Sequence, residues 1–432
     1  MEMILESKSE LDKFLGIEVY GTSTRGIGGA IRRRLEDFVV EEVPLQGGTS
    51  GDLTLLVIEK RGIDTLTAAI KLSRKLGIPL KHVGFAGLKD TRSISRQRFT
   101  LKIPENFDIS KISDNKLKVL AVYRAKKHLR PGMLFGNSFT ITIRGLEVPA
   151  KDAEALIRDA LLQLNELGGV PNFYGYQRFG INRPNTHIVG KLLLQGEYEK
   201  AVMEILATPY PNEPKPHRDA RAFLAETLDF KRALKSFPRS LIFERQMIKW
   251  LVDRPNDYLG SLRGLPKYVI ALYVDAYLSY IFNRALSERF RKLRSLERVM
   301  EGDIIATCDA YGNPMRPTFV AKSSSMNLGS NQLILAFVPA SVKVRPEGYM
   351  IELVLSFLNK EGLEPPFKRL EELGLQNRLG LLRQIAFKPI NLSYNVEGDE
   401  VLKMSFLLPK SSYATILLRE FIKPEDPIAA GF

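Results

Sequence analysis

The sequence predicts an α+β protein of two or three domains, on three observations. The chain has 432 residues, 44% hydrophobic and 26% charged. That composition is ordinary for globular proteins, and the length allows more than one core. Short β-branched runs crowd the N-terminal third, helical periodicity dominates the middle, and a pair of strand-like runs returns near the end.

The first feature is a glycine-rich loop, GTSTRGIGG (21–29). It has neither the G-x-G-x-x-G spacing of a dinucleotide site nor the Lys-Ser/Thr ending of a phosphate loop. Residues 38–43 and 53–60 read as strands, the first on the β-branched weight of Val39 and Val40. Residues 65–76 read as a helix with Leu66, Ala69, Ile70 and Leu76 near helical spacing, stopped by Gly77. Gly84 and Gly87 bound a turn that leads into Lys89 and Asp90. Residues 98–103 and 116–124 look like strands. Residues 138–144 alternate, with Phe139, Ile141 and Ile143 on one face. An amphipathic helix over 150–167 ends at Gly168 and Gly169.

VPNFYGYQRFG (170–180) packs four aromatic rings beside Gln177 and Arg178. Such a run can stack on unpaired bases, or it can be a core segment with turn glycines. A proline-rich stretch at 208–218 breaks the chain. The region up to about residue 300 is mainly helical. Its last helix begins near Tyr268 and carries Arg284, Arg289, Arg291, Lys292, Arg294 and Arg298 toward its end. That stripe could touch phosphates or simply be a solvated face. Residues 301–365 look mixed. INLSYNV and VLKMSFLLP form a hairpin around the turn 397–400, and Ser411 or Ser412 caps a final helix that Pro424 stops.

Charge narrows the function. Lys and Arg total 63 against 49 Asp and Glu, a formal charge of +14, which favours a polyanionic partner. Residues 65–104 hold nine basic residues and one acid, Asp90, and residues 115–146 hold seven basic residues and no acid. Cations around a carboxylate favour its charged form, which suits a nucleophile or base; a plain salt bridge to Lys89 or Arg92 is the alternative. The single cysteine, Cys308, excludes an intrachain disulfide and a cysteine zinc site. The four histidines are scattered, so no metal and no cofactor are expected. The opening MEMILESKSELDKF lacks the apolar stretch of a signal peptide, and no segment reads as a membrane span. A cytoplasmic protein with no obligate protein partner is the expectation.

Five segments carry a family resemblance: GIGGAIRRRLEDFVVEE (26–42), GFAGLKDTRSISRQRFT (84–100), FGNSFTITIRG (135–145), VPNFYGYQRFG (170–180) and FLLPKSSYATILLRE (406–420). Together and in this order they resemble the TruD-type tRNA pseudouridine synthases. This chain has Leu35, Ser93 and Ser411 where that family usually has Pro, Ala and Gly. The resemblance implies a pseudouridine-synthase-type mixed, largely antiparallel sheet with flanking helices, plus an inserted α+β domain. The implied boundaries are 1–168 and 388–432 for the catalytic domain and 169–387 for the insertion.

The resemblance also implies the site. Asp90 maps to the family's catalytic aspartate, acting on the ribose as a nucleophile or by deprotonating it toward a glycal. Arg32 maps to a basic residue assigned to pair with Asp90, with Lys89 as the second choice. Phe38, Asn137 and Tyr413 match positions that contact the target nucleotide, Phe139 fits the same pocket, and Gln177 and Arg178 are candidates for substrate binding. The implied substrate is a tRNA uridine of the uridine-13 class, with an anticodon-loop uridine as a second target. A non-catalytic RNA-binding or chaperone protein on the same fold, and a metal-dependent nuclease, are the competing readings. The acid-poor surroundings of Asp90 speak against the latter.

Overall fold

The computed structural model describes residues 5–45, 50–103, 107–398 and 400–432. The chain forms two compact units. One holds residues up to Tyr20 with Pro171–Ala306 and Pro317–Ile385, and the other holds Gly21–Val170, Thr307–Arg316 and Ala386–Phe432. The fold is α+β, with a largely antiparallel sheet and flanking helices.

The sheet unit contains β1 (Phe38–Pro44), β2 (Leu53–Arg61), β3 (Gly84–Phe85), β4 (Ile94–Leu101), β5 (Leu117–Ala125), β6 (Leu134–Arg144), β7 (Ile390–Glu397) and β8 (Val401–Pro409). Spatial order is β7-β8-β6-β1-β4-β2-β5, with β3 on β4. The β1–β4 pair is parallel, whereas β1–β6, β6–β8, β7–β8, β2–β4, β2–β5 and β3–β4 are antiparallel. Register aligns Phe406, Phe139, Val40, Ser95 and Lys60 in one row across five strands. Paired residues share a face, so this row runs from aromatic to polar along one side of the sheet.

Helix α1 (Thr65–Leu76) packs on that side. Asp64 caps it by accepting from the Thr67 amide at 2.9 Å, and Gly77 ends it in the left-handed region. Its buried positions are Thr65, Ala68, Ala69, Leu72 and Leu76, and the last four join Leu56, Ile58 and Phe99 in one core. Leu66 and Ile70, expected on the buried face, are 45% and 37% exposed. The helix turns its smaller residues to the sheet, and Thr65 has a polar task there. Helix α2 spans Ala150–Glu166, and α3 spans Ala414–Ile422 with every residue buried. The expected serine cap of α3 is absent. Tyr413 occupies the cap position, with no side-chain cap bond, and Ser411 stands at φ +63°. Asp399, in the hairpin turn, lies outside the described residues.

The other unit is mainly helical but carries strands as well, with Gln332–Pro339 antiparallel to Gly380–Gln384, so it is α+β as expected. Residues up to Tyr20 join it because Asp12, fully buried, accepts from Ser7 and from the Tyr176 hydroxyl at 2.7 and 2.6 Å. Asn283 and Ser287 of the long helix Lys267–Leu293 donate to the carbonyls of Leu15 and Gly16. The segment Thr307–Arg316 belongs to the sheet unit instead: Tyr311 stacks on Phe135 at 4.5 Å, and Asn313 donates to the Phe135 carbonyl at 2.8 Å. Both assignments differ from boundaries drawn by sequence alone. Three cations of the basic stripe are neutralised within this unit. Arg289 is fully buried in a two-pronged pair with Asp303, Arg284 pairs with Glu18, and Arg291 pairs with Glu6 and Glu18. Among the described residues, no helix is long and apolar enough to cross a membrane.

Candidate active site

The loop between β3 and β4 carries Lys89 and Asp90, and it is fastened from below by polar side chains with no solvent exposure. Lys60 donates to the Lys89 carbonyl at 3.4 Å, to the Ile63 carbonyl at 2.8 Å and to Ser95 Oγ at 3.0 Å. Thr65 Oγ1 accepts from the Lys89 amide at 2.8 Å and donates to Gln97 Oε1 at 2.9 Å. Gln97 in turn donates to the Gly87 carbonyl. Ser93 Oγ donates to the Asp90 carbonyl at 2.8 Å. Lys60, Thr65, Ser93, Ser95 and Gln97 are all 0% exposed. A buried polar network this well satisfied fixes a loop more tightly than apolar contact alone.

Above this support the Asp90 carboxylate meets Arg32. Arg32 Nη2 donates to Asp90 Oδ2 at 2.8 Å, with the Arg32 side chain 3% exposed and the Asp90 side chain 45% exposed. Arg32 is held on two further sides. Its Nη1 donates to the Gly431 carbonyl at 2.9 Å, and its guanidinium carbon lies 4.1 Å from the centre of the Phe38 ring. Burial pulls the guanidinium down from its ordinary pKa, Asp90 pushes it back up, and Arg92 lowers it. The Arg32 backbone stands at φ +57°, a left-handed conformation uncommon for a residue with a side chain. Neighbours impose it: the Ile31 amide bonds the Ala430 carbonyl at 2.9 Å, and Arg92 donates to the Arg32 carbonyl at 3.0 Å.

Phe38 opens β1, and Phe139 comes from β6, their rings 6.0 Å apart edge to face; Phe406 lies 5.5 Å beyond Phe139. Asn137 precedes Phe139 on the same strand face, opposite Glu42. Its Oδ1 is buried with no hydrogen-bond partner among the described residues. Lys89 is 8% exposed. Burial lowers its pKa, Glu42 and Asp90 counter this, and Arg98 adds to it. Tyr413 follows β8, whose end pairs with Gly136 and Asn137. The sheet unit therefore supplies Asp90, Arg32, Lys89, Phe38, Asn137, Phe139 and Tyr413.

Gln177 and Arg178 belong to the helical unit. Arg178 donates to Ser279 at 3.0 Å and pairs with Asp275 at 3.4 Å. Phe173, Tyr176 and Phe179 of the same run are buried, so these three rings are core of that unit.

Cations that follow Asp90 in sequence gain acidic partners in space. Parallel pairing of β1 with β4 brings Glu42 to Arg98 at 2.8 Å, and Arg96 reaches Glu41 and Glu59 at 3.2 Å each. Glu42 and the supporting residues Lys60, Thr65, Ser95 and Gln97 escaped the sequence reading. A signal existed for Lys60, which falls in phase with Leu56 and Ile58 on an alternating strand. Among the described residues, no group of three or more His, Cys, Asp or Glu could hold a metal ion.

Comparison with known proteins identifies the family. The sequence model of the family "tRNA pseudouridine synthase D (TruD)" matches residues 14–421. A Methanosarcina mazei protein named "Probable tRNA pseudouridine synthase D" is 34% identical over 431 residues, covering 96% of this chain and 98% of that one. A Methanococcoides burtonii protein of the same name is 36% identical over 440 residues, with coverage of 96% and 98%. A crystal structure carrying the tRNA pseudouridine synthase D name, from Methanosarcina mazei, aligns with a TM-score of 0.76 at 33% identity, covering 99% of this chain and all of that one. The chain belongs to the TruD family of tRNA pseudouridine synthases, a family of isomerases.

Proposed function

We propose that this enzyme isomerises a tRNA uridine of the uridine-13 class, with Asp90 acting on the ribose of a nucleotide swung out of its stack. An anticodon-loop uridine is the second candidate target. The observation that carries the reading is the Arg32–Asp90 pair: a buried guanidinium holds one oxygen of a carboxylate whose side chain is 45% exposed. One oxygen is oriented, and the group as a whole can still be reached.

The reaction breaks the bond from uracil N1 to ribose C1′, turns the base, and joins C5 to C1′. The C5 proton leaves and N1 regains one, so atoms balance and no electrons are gained or lost. Asp90 acts either by attack at C1′ or by removing the C2′ proton. Arg32 orients the carboxylate, and Lys89 supplies a second positive group beside it. Phe38, Phe139 and Tyr413 form the aromatic surroundings of the free uracil, and the unpartnered Asn137 Oδ1 accepts from its N3–H. Gln177 and Arg178 are proposed to contact the RNA elsewhere. The protein works without a cofactor in the cytoplasm.

The test is Asp90→Asn. The variant is expected to bind tRNA with wild-type affinity and to form no pseudouridine, read as a carbodiimide-adduct stop in reverse transcription. Wild-type turnover in this variant would remove the assignment. A wild-type protein that binds tRNA but marks no uridine would favour the binding-only reading.

A further inference from the structure

Among the described residues, the sheet ends on one side in β5, a strand paired only with β2. The strand, the residue before it and the loop after it carry six exposed cations: Lys116, Lys118, Arg124, Lys126, Lys127 and Arg130. No acid occurs anywhere in residues 115–146. No ion pair is found for any of the six among the described residues, although elsewhere in the same unit cations are matched: Lys71 and Lys75 by Asp114, Arg96 by Glu41 and Glu59, Arg98 by Glu42. The same strand exposes Leu120, Val122 and Tyr123 at 41%, 45% and 49%.

One or two lysines on an open edge are a common guard against strand-to-strand aggregation. Six uncompensated cations around an exposed aromatic ring exceed that need. They match what a nucleic-acid backbone requires: a line of positive charge for phosphates and a flat ring for a base or sugar. The stretch from Lys116 to Lys126 is roughly 30 Å of extended chain at about 3.3 Å per residue, enough to meet several consecutive phosphates.

We propose that this rim, from Lys116 through Arg130, is a docking surface for the sugar–phosphate backbone of the tRNA. The proposal rests on the tRNA reading above and adds where the body of that substrate is held. Among the described residues, no ion pair joins any of the six cations to Asp90. None of the six is among the site residues named above, and the rim is assigned to capture and not to the chemical step.

The experiment pairs two measurements on the full chain. In the first, Lys118, Arg124, Lys126 and Lys127 are all replaced by Gln, and modification of full-length tRNA is followed across salt concentrations. The KM is expected to rise tenfold or more, with kcat at saturating tRNA within twofold of wild type. The log–log salt slope is expected to become shallower by about 3, at roughly 0.7–0.9 for each phosphate that is no longer neutralised. In the second, the wild-type protein is lightly acetylated with and without tRNA, and lysine reactivity is read by mass spectrometry. Lys116, Lys118, Lys126 and Lys127 are expected to be protected. A folded variant with unchanged KM and slope, or four lysines equally reactive with tRNA bound, would overturn the docking surface while leaving the enzymatic reading intact. A wild-type protein that forms no pseudouridine in tRNA strikes the enzymatic reading instead.

Discussion

Replacing Arg32 by alanine and, separately, by glycine divides what this residue does for the site from what it costs the fold. Its side chain makes a charge-assisted bond to Asp90 at 2.8 Å and a bond to the Gly431 carbonyl at 2.9 Å. A hydrogen bond to a charged group contributes about 1.5–3 kcal/mol. Asp90 is 45% exposed, so water replaces part of the lost interaction. We take about 1–2 kcal/mol of lost orientation, which corresponds to roughly a 5–30-fold fall in kcat. Both variants lose the guanidinium, so both should lose this factor equally.

Their stabilities should differ. At φ +57° a residue with a Cβ is strained by roughly 1–2 kcal/mol, and glycine is not. Glycine gives back about 0.4–1 kcal/mol through its freer unfolded chain. R32G should therefore be the more stable by roughly 1 kcal/mol, or about 2–4 °C in thermal midpoint for a domain of 150–250 residues. The assay is release of tritium from tRNA labelled at uridine C5, run at saturating substrate beside a thermal melt. R32K tests the fork: it keeps the charge but cannot span Asp90 and Gly431 as two prongs, and intermediate activity is expected. If activity follows stability, so that R32G recovers what R32A loses, then Arg32 braces the fold and does not orient Asp90.

Further outcomes follow from neighbouring features. Gly431 stands at φ +84°, and a Cβ there would come within 2.1 Å of the Ile31 carbonyl oxygen; Gly431→Ala should push the tail off Arg32 and lower kcat several-fold in tritium release, with tRNA affinity unchanged in filter binding. Ser411→Gly removes a side chain from φ +63° and should stabilise the fold by up to about 1 kcal/mol after the entropy of the unfolded chain is counted, read as a raised thermal midpoint. Burial, with Lys89 nearby, pushes the Lys60 amine down to about 8. An unfolded lysine titrates near 10.4, so the unfolded state binds more protons between these values and stability rises with pH there. The burial cost is present in full below pH 8. Lys60→Met should remove about 1.5 kcal/mol of the rise between pH 8 and 9.5 in urea melts, and an unaltered slope would contradict the burial argument.

Much of this was legible in the sequence where one local rule decides. The alternation of residues 138–144 gave Phe139, Ile141 and Ile143 a common face, and the structure buries all three. Gly77 ended its helix because the left-handed position is there. Legibility failed where two rules competed. Leu66 and Ile70 outrank Thr65 and Ala68 in hydrophobicity, yet the helix turns Thr65 inward because its hydroxyl bonds the Lys89 amide. Ser411 and Ser412 look like caps, yet Ser411 is bent into a left-handed turn and Ser412 Oγ is buried with no partner among the described residues. The Glu42–Arg98 pair joins residues 56 positions apart. Only the parallel register of β1 and β4 creates it, and no local spacing announces that register.

The row Phe406–Phe139–Val40–Ser95–Lys60 gives a physical reason for the placement of the site. An aromatic pocket needs apolar strand faces, whereas a loop bearing a charged group needs buried donors and acceptors beneath it. One sheet face meets both demands if its composition changes between neighbouring strands. Here the change falls at the β1–β4 joint, with Val40 on one side and Ser95 on the other. Parallel pairing there sets Phe38, at the start of β1, at the same end as the loop entering β4. Arg32, six residues before Phe38, can then stack on that ring and still reach Asp90. An antiparallel pair at this joint would send the two starts to opposite ends of the sheet, and Arg32 could not serve both. On this argument the polar half of the row is part of the machinery at one remove. Ser95→Ala would leave the Lys60 amine one acceptor short and loosen the loop. Its expected signature is a fall in kcat without a change in tRNA affinity. An equal fall in both would mean that the row supports the sheet and not the carboxylate.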